Sequence, residues 1–269
     1  MGLLQNGKWV DHWYDTETTG GQFLRTDSQF RNWISHKENF KPESNRYHLY
    51  VSYACPWAHR VLIMRELKHL RNHISADVVH PDMMENGWSF NSDFENTTGD
   101  SLYKKKYLYE IYQLCSHDVS TKVTVPILWD KKTQQIVNNE SSEILRIFNS
   151  SFNDITNNHD DFYPIDLQDD INKINHEIYI NINNGVYKTG FAKTQCKYNE
   201  AVNNLFKSLD KIEEKLNNNN YLVSNHLTEA DIRLVTTLLR FDNVYHYHFK
   251  CNLKKISDYK NLSRYLKQF

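Results

Sequence analysis

The stretch Leu49-Tyr50-Val51-Ser52-Tyr53-Ala54-Cys55-Pro56-Trp57-Ala58-His59-Arg60-Val61-Leu62-Ile63-Met64 decides how this chain folds. Its first half, Leu49 to Ala54, alternates Tyr and Val with small polar residues, the pattern of a strand on a pleated surface. Pro56 follows at a first helical position, where its missing N–H would be unpaired anyway, and Val61, Leu62, Met64, Leu67 and Leu70 then recur at helical spacing. Cys55 is therefore expected at the N-terminus of a helix. There the end of the helix dipole and the outward-pointing first-turn N–H groups favour a thiolate over a thiol whose free pKa is about 8.5. The plainer reading of such a residue is a small buried hydrophobe.

Downstream, Ile74 to Val79 reads as a second strand, and Pro81 to Asp100, with its Asn, Gly and Asp, as a loop-rich insertion that carries Trp88. Val123 to Leu128 is a β-rich run interrupted by Pro126. Asp130 to Thr133 turns the chain, and Gln135 to Val137 returns as a hairpin strand. A helix opens at Ser141 or Ser142 and continues through Ile144, Leu145, Ile147 and Phe148. The order strand, helix, strand, hairpin, helix predicts a thioredoxin-like α/β domain over residues 1–150. The polar segment 151–166 predicts a linker, and 167–269 an all-α domain. In that domain Val202, Leu205, Phe206, Leu209, Ile212 and Leu216 hold helical spacing, and Thr228 with Asp231 suggests a capped helix start. Upstream, Trp9, Trp13, Phe23, Phe30 and Trp33 make the first 45 residues too aromatic for a disordered tail, so this segment is expected to pack.

Composition narrows the functional classes. With 32 Lys+Arg against 33 Asp+Glu, the net charge of -1 supplies no field that would draw nucleic acid or an anionic membrane. No run approaches the roughly 18 apolar residues of a membrane span, and no targeting signal is visible at Met1-Gly2-Leu3-Leu4-Gln5-Asn6, so a soluble cytoplasmic protein is expected. Cys55, Cys115, Cys196 and Cys251 form no Cys-x-x-Cys pair, which argues against both a dithiol motif and a structural zinc site. His246, His248 and Cys251 fit no common metal spacing, so no metal is expected. With Ala58 where a dithiol motif has its second cysteine, a resolving thiol must come from outside the chain, and soluble glutathione is the obvious supplier.

Five segments then resemble those of the glutathionyl-hydroquinone reductases, the Xi-class, Omega-like glutathione transferases. They are Tyr53 to Arg60, Val123 to Asp130, Asn138-Asn139-Glu140-Ser141-Ser142-Glu143, Leu227 to Asp231 with Arg233, and Arg240-Phe241-Asp242 through Tyr245 to Asn252. The resemblance runs from about Trp9 to the last residue. It implies a glutathione transferase architecture, a homodimer, and glutathione as co-substrate for aromatic, quinone-derived molecules. It also implies reduction of glutathionyl-hydroquinones through a Cys55–glutathione mixed disulfide.

The same resemblance implies roles for individual residues. Glu140 and Ser141 would hold the γ-glutamyl end of glutathione; without it they are a helix cap. Val125, before an expected cis-Pro126, would pair with the cysteinyl part, with Val123 and Thr124 beside it. Trp88 would pack on glutathione. Tyr187 would donate a proton and Tyr245 would hydrogen-bond the thiolate, although among 17 tyrosines neither stands out by itself. Two departures are visible. Lys122 stands where the family has an arginine for the glycyl carboxylate, and a lysine lacks the planar two-pronged contact. The chain also stops at Phe269, short of the family's usual C-terminus, which predicts a reduced substrate wall. Alternatives are an Omega-like thioltransferase or dehydroascorbate reductase, or a binding module without catalysis.

Overall fold

The computed structural model describes residues 2–12, 16 and 18–269, which group into two compact units. The first comprises Met1–Trp13 and Asp27–Asp160, and the second Tyr14–Thr26 and Asp161–Phe269.

In the first unit a four-stranded mixed sheet has strands β3 (Tyr47–Val51), β4 (Ser75–Val78), β6 (Ile127–Asp130) and β7 (Gln135–Asn138) in the order β4-β3-β6-β7. β3 and β4 run parallel, with Leu49 opposite Ala76, and the crossover between them is helix α1 (Pro56–Leu67). β3 with β6 and β6 with β7 are antiparallel. The expected strand at 49–54 begins two residues earlier and ends at Val51, because Ser52 to Ala54 turn the chain into α1. All five of its residues are buried rather than alternating, as befits a central strand covered on both faces. Helix α3 (Ser141–Ser150) packs against α1, and Ala58, Val61, Met64, Ile144, Leu145 and Phe148 are fully buried.

A second sheet, which the sequence reading left out, has the order β2-β1-β5 from β1 (Leu3–Gln5), β2 (Lys8–Val10) and β5 (Thr121–Lys122). Helix α2 (Tyr109–Cys115) precedes β5, and the short α4 (Asn153–Thr156) follows α3. The run 123–128 is not one strand. Val123 to Pro126 lie outside the sheets, between β5 and β6, and the Val125–Pro126 peptide bond is cis.

The second unit is helical. Helix α5 (Gln168–Ile178) passes through a π-helical turn, Tyr179–Asn183, into α6 (Gly185–Phe191). Helices α7 (Gln195–Lys215), α8 (Glu229–Arg240), α9 (His246–His248) and α10 (Lys260–Leu266) complete it, with a second π-helical turn, Phe241–Tyr245, after α8. Its core joins Ile178, Val186, Leu205, Leu209, Leu234 and Phe241. At the start of α8 the buried Asp231 carboxylate accepts hydrogen bonds from the Thr228 N–H, 2.9 Å, and hydroxyl, 2.9 Å. It also accepts from Tyr265, 2.9 Å, so the expected cap doubles as a tie to α10.

The observed division differs from the expected 1–150, 151–166 and 167–269. Residues up to Asp160 stay with the first unit because the fully buried Lys68 donates its ammonium hydrogens to the carbonyls of Asn158, 3.0 Å, and Asp160, 2.5 Å. Segment Tyr14–Thr26 counts with the second unit. There Phe23 packs on Phe191, with ring centroids 5.4 Å apart, and the Arg25 Nε–H donates to Asn184 at 3.0 Å. The other aromatic residues of the N-terminal segment divide: Trp9 stacks on Tyr109 and Phe30 meets Tyr112 edge-on, while Trp33 is 36% exposed. Trp13 lies outside the described residues.

Candidate active site

Cys55 is the N-cap residue of α1, in an extended conformation with Pro56 at the first helical position. The Ser52–Ala54 turn makes this possible: the Cys55 N–H donates to the Ser52 carbonyl, 3.1 Å, and the Ala54 N–H to the Ser52 hydroxyl, 3.3 Å. The thiol is half-buried and its Sγ lies 3.7 Å from the Val125 carbonyl oxygen. A sulfur held at the amino end of a twelve-residue helix faces that helix's positive pole, which suits a thiolate nucleophile. The other cysteines are differently placed. Cys196 is exposed, Cys115 is half-buried, and Cys251 is fully buried, with burial pushing its thiol up to about 12 against a smaller opposing effect of the Thr189 hydroxyl.

Glu140 is the N-cap residue of α3, and its Oε1 accepts from the Ser142 N–H, 3.1 Å, and hydroxyl, 3.0 Å. Its Oε2 accepts from the Ser28 hydroxyl at 3.2 Å. Burial pushes this carboxyl up. The bonds from Ser142, the charge of Arg60 and the bond from Ser28 outweigh it and hold Glu140 below the ordinary carboxylate range. Ser141 beside it is buried. This pairing of an ionised carboxylate with a helix N-terminus can receive both an ammonium and a carboxylate, the two charges of an amino acid's main chain. Arg60, on α1, is itself almost fully buried and lies over the Trp57 ring, 4.7 Å from its centroid.

Between these two helix ends lies the segment Val123-Thr124-Val125. Val123 and Val125 are buried and Thr124 is partly so. Lys122 sits in β5 opposite Leu3, half-buried. Trp88 is buried in the long loop after β4, where its carbonyl accepts the Leu108 N–H at 2.9 Å. Hydrogen-bond contacts thus bring Cys55 to Val125 directly, and join Thr124 to Asn139, the neighbour of Glu140, through Tyr112. Tyr112, Ser28, Asn139 and Arg60 received no role from the sequence. Only Asn139 and Arg60 lay inside a recognisable motif; Ser28 and Tyr112 carry no local signal, because their partners are 12 or more residues away.

In the second unit Tyr187, on α6, and Tyr245, at the end of the second π-helical turn, are neighbours with ring centroids 6.1 Å apart. Tyr245 is 2% exposed and Tyr187 half-buried. Phe249 meets both edge-on and Phe23 stacks on Tyr187, so the two phenols stand in an aromatic cluster; the Arg25 guanidinium lies 5.5 Å from the Tyr187 ring centroid. Among the described residues no group of three or more His, Cys, Asp or Glu could hold a metal ion, and no helix is long and apolar enough to cross a membrane.

Comparison with known proteins matches the glutathione S-transferase N-terminal domain over residues 54–151 and the C-terminal domain over 197–268. Glutathionyl-hydroquinone reductase YqjG of Escherichia coli is 52% identical over 275 residues, which cover 99% of this chain and 84% of that protein. Glutathionyl-hydroquinone reductase PcpF of Sphingobium chlorophenolicum is 51% identical, covering 98% and 83%. This chain belongs to the glutathionyl-hydroquinone reductase family. Solved structures agree. The Xi-class enzyme of Natrialba magadii superposes with a TM-score of 0.94 at 45% identity, covering 100% of this chain and 83% of that one. The glutathione-bound structure of E. coli YqjG gives 0.87 at 51% identity, covering 89% and 80%. The glutathione transferase architecture, an α/β domain followed by an all-α domain, is thereby shown for this member of the reductase family.

Proposed function

We propose that this protein reduces glutathionyl-hydroquinones to hydroquinones with glutathione as co-substrate. The carrying observation is a thiol at the start of α1, facing the Val125 carbonyl, in a chain 52% identical to a glutathionyl-hydroquinone reductase. In the first step the Cys55 thiolate attacks the glutathione sulfur of the substrate. The S–S bond of a mixed disulfide forms, the carbon–sulfur bond breaks, its electron pair passes to the ring carbon, and Tyr187 supplies the proton that carbon needs. In the second step a free glutathione thiolate attacks the mixed disulfide at its glutathione sulfur, releasing oxidised glutathione and the Cys55 thiolate. Tyr245 supports the thiolate. Glu140 takes the γ-glutamyl ammonium, Ser141 and the α3 N-terminus its carboxylate, and Val125, flanked by Val123 and Thr124, the cysteinyl backbone. Trp88 packs on the tripeptide and Lys122 offers charge to the glycyl carboxylate.

Incubation with oxidised glutathione followed by peptide mapping tests the nucleophile: one glutathione is expected on Cys55, and an adduct on Cys115, Cys196 or Cys251 with Cys55 unmodified would refute the assignment. Turnover of a glutathionylated hydroquinone, compared with that of a simple mixed disulfide and of dehydroascorbate, tests the reaction. Faster turnover of the latter two would favour an Omega-like thioltransferase, and binding without turnover of any would favour a non-catalytic role. The reading includes a reducing, cytoplasmic setting, in keeping with four cysteines that are in no disulfide. It also includes a homodimer, for which sedimentation at a mass of about 64 kDa, twice the 32.1 kDa chain, is expected, and a concentration-independent 32.1 kDa species would exclude it.

A further inference from the structure

We infer that Tyr112 is a positioning residue for glutathione, fixing which edge of the Val123–Val125 segment faces Cys55 and tying that segment to the γ-glutamyl subsite; this rests on the reading of the site as a glutathione site.

The argument begins with hydroxyl capacity. A phenol has one hydrogen to give and two lone pairs. The Tyr112 hydroxyl donates to the Thr124 carbonyl at 3.0 Å and accepts from the Thr124 N–H at 3.3 Å and from the Asn139 side-chain amide at 3.3 Å. All of its capacity is spent, inside the protein, on a side chain that is fully buried. Burial holds its own ionisation above the ordinary phenol range, so it stays a neutral donor at physiological pH.

The partners explain the purpose. In an extended chain, successive residues turn their N–H and C=O to opposite edges. Both backbone groups of Thr124 are turned to Tyr112, whereas the Val125 carbonyl is turned to Cys55 Sγ and the Val123 N–H to the Gly2 carbonyl, 3.5 Å. Tyr112 therefore does for the inner edge of this segment what a neighbouring strand would do, and the Val125 edge is left for an incoming backbone. The third bond carries the same constraint to the other half of the site. Asn139 is itself clamped by Phe30, whose N–H donates to Asn139 Oδ1 at 3.2 Å and whose carbonyl accepts the Asn139 N–H at 3.0 Å, and Glu140 is the next residue. The Phe30 ring also meets the Tyr112 ring edge-on at 5.8 Å. One hydroxyl thus sets the spacing between the expected cysteinyl and γ-glutamyl contacts.

The probe is S-methylglutathione, which binds as glutathione does but cannot form a disulfide. In Tyr112→Phe its Kd should rise about tenfold, the effect of orphaning buried polar groups on one side of a recognition segment. In turnover the KM for glutathione should rise similarly, while kcat at saturation stays within about twofold, because the thiol itself is held by α1. Asn139→Ala, which spares the hydroxyl, should weaken binding less, and the two changes should be non-additive since they cut one network. An unchanged Kd in a folded Tyr112→Phe protein with a lowered melting temperature would make Tyr112 merely structural and overturn the inference alone. Failure of the wild type to bind S-methylglutathione would overturn it together with the glutathione reading. If Tyr112→Phe does not fold, Asn139→Ala decides by the same binding measurement, unchanged affinity refuting the coupling.

Discussion

In the reaction proposed above, Tyr187 is the residue that separates a reductase from a general thiol-transfer catalyst. Breaking the carbon–sulfur bond of a glutathionyl-hydroquinone leaves a carbon that must gain a proton, whereas breaking a disulfide leaves a thiolate that needs none near neutral pH. Removing an acid that contributes about a hundredfold to rate should therefore slow only the first reaction, so Tyr187→Phe is expected to lower hydroquinone turnover by about that factor and to spare disulfide exchange. Steady-state rates on the two substrates check this; equal losses on both would reduce Tyr187 to an aromatic packing residue beside Phe23 and Phe249. Cys55→Ser should remove both reactions, since a hydroxyl without an adjacent base is too weak a nucleophile. The contrast among cysteines has a readout of its own. Iodoacetamide at neutral pH should label Cys55 and the exposed Cys196 but leave Cys251, which is fully buried and holds its proton up to about 12.

At the scale of elements, the sheet that positions Cys55 is tied by a buried ion pair. Arg46, just before β3, donates from Nε to Asp130 Oδ1 at 2.9 Å and from Nη2 to Oδ2 at 2.7 Å, and Asp130 ends the paired strand β6. Burial pushes the Asp130 carboxyl up, but the Arg46 and Thr133 side chains and the Lys132 N–H more than offset this, so it lies below its ordinary value of 3.8. A carboxylate with a lowered folded-state pKa stabilises the fold fully above its unfolded value and loses that contribution as pH falls through the folded one. Asp130→Asn, which strands a buried guanidinium, should therefore cost about 3 kcal/mol near pH 7 in denaturant unfolding, and the gap to wild type should close in acid below 3.8. A pH-independent gap would count against the pair. Elements were legible where a local rule applied: Pro56 starting α1, the 130–133 turn and the α3 start in the first unit, and the Thr228–Asp231 cap in the second, all lie within a few residues of their cause. The β1–β2 hairpin went unread although Asn6-Gly7 is a hairpin signal, with φ of 49° and 72°, and a Cβ on Gly7 would stand 1.7 Å from the His117 carbonyl oxygen. β5, at Thr121–Lys122 just before the 123–128 run, carries no strand signal because two-residue pairing leaves no period to read. The π-helical turns and the placement of segment Tyr14–Thr26 with the second unit depend on distant packing, such as Phe23 on Phe191, that no local pattern encodes.

For the molecule as a whole, the division into two units gives ligand binding an optical reporter. The described tryptophans, Trp9, Trp33, Trp57, Trp88 and Trp129, fall within the first unit, while α5 to α10 belong to the second. Tryptophan fluorescence then follows the unit that carries Cys55 and Glu140, and far-ultraviolet circular dichroism is weighted toward the helical one. A ligand that binds only folded protein stabilises it by RT ln(1 + [L]/Kd), about 2.7 kcal/mol at a hundredfold excess over Kd. For a unit of this size that corresponds to a rise of roughly 5–10 °C in melting temperature. S-methylglutathione at that excess should accordingly raise the fluorescence-detected transition by this amount. The rise should shrink when Glu140→Gln removes the carboxylate proposed to receive the γ-glutamyl ammonium, since the same ligand concentration would then be a smaller multiple of Kd. A fluorescence transition indifferent to the ligand, at concentrations where calorimetry registers binding, would place the bound molecule away from Cys55 and Glu140 and remove the first unit from the proposed chemistry.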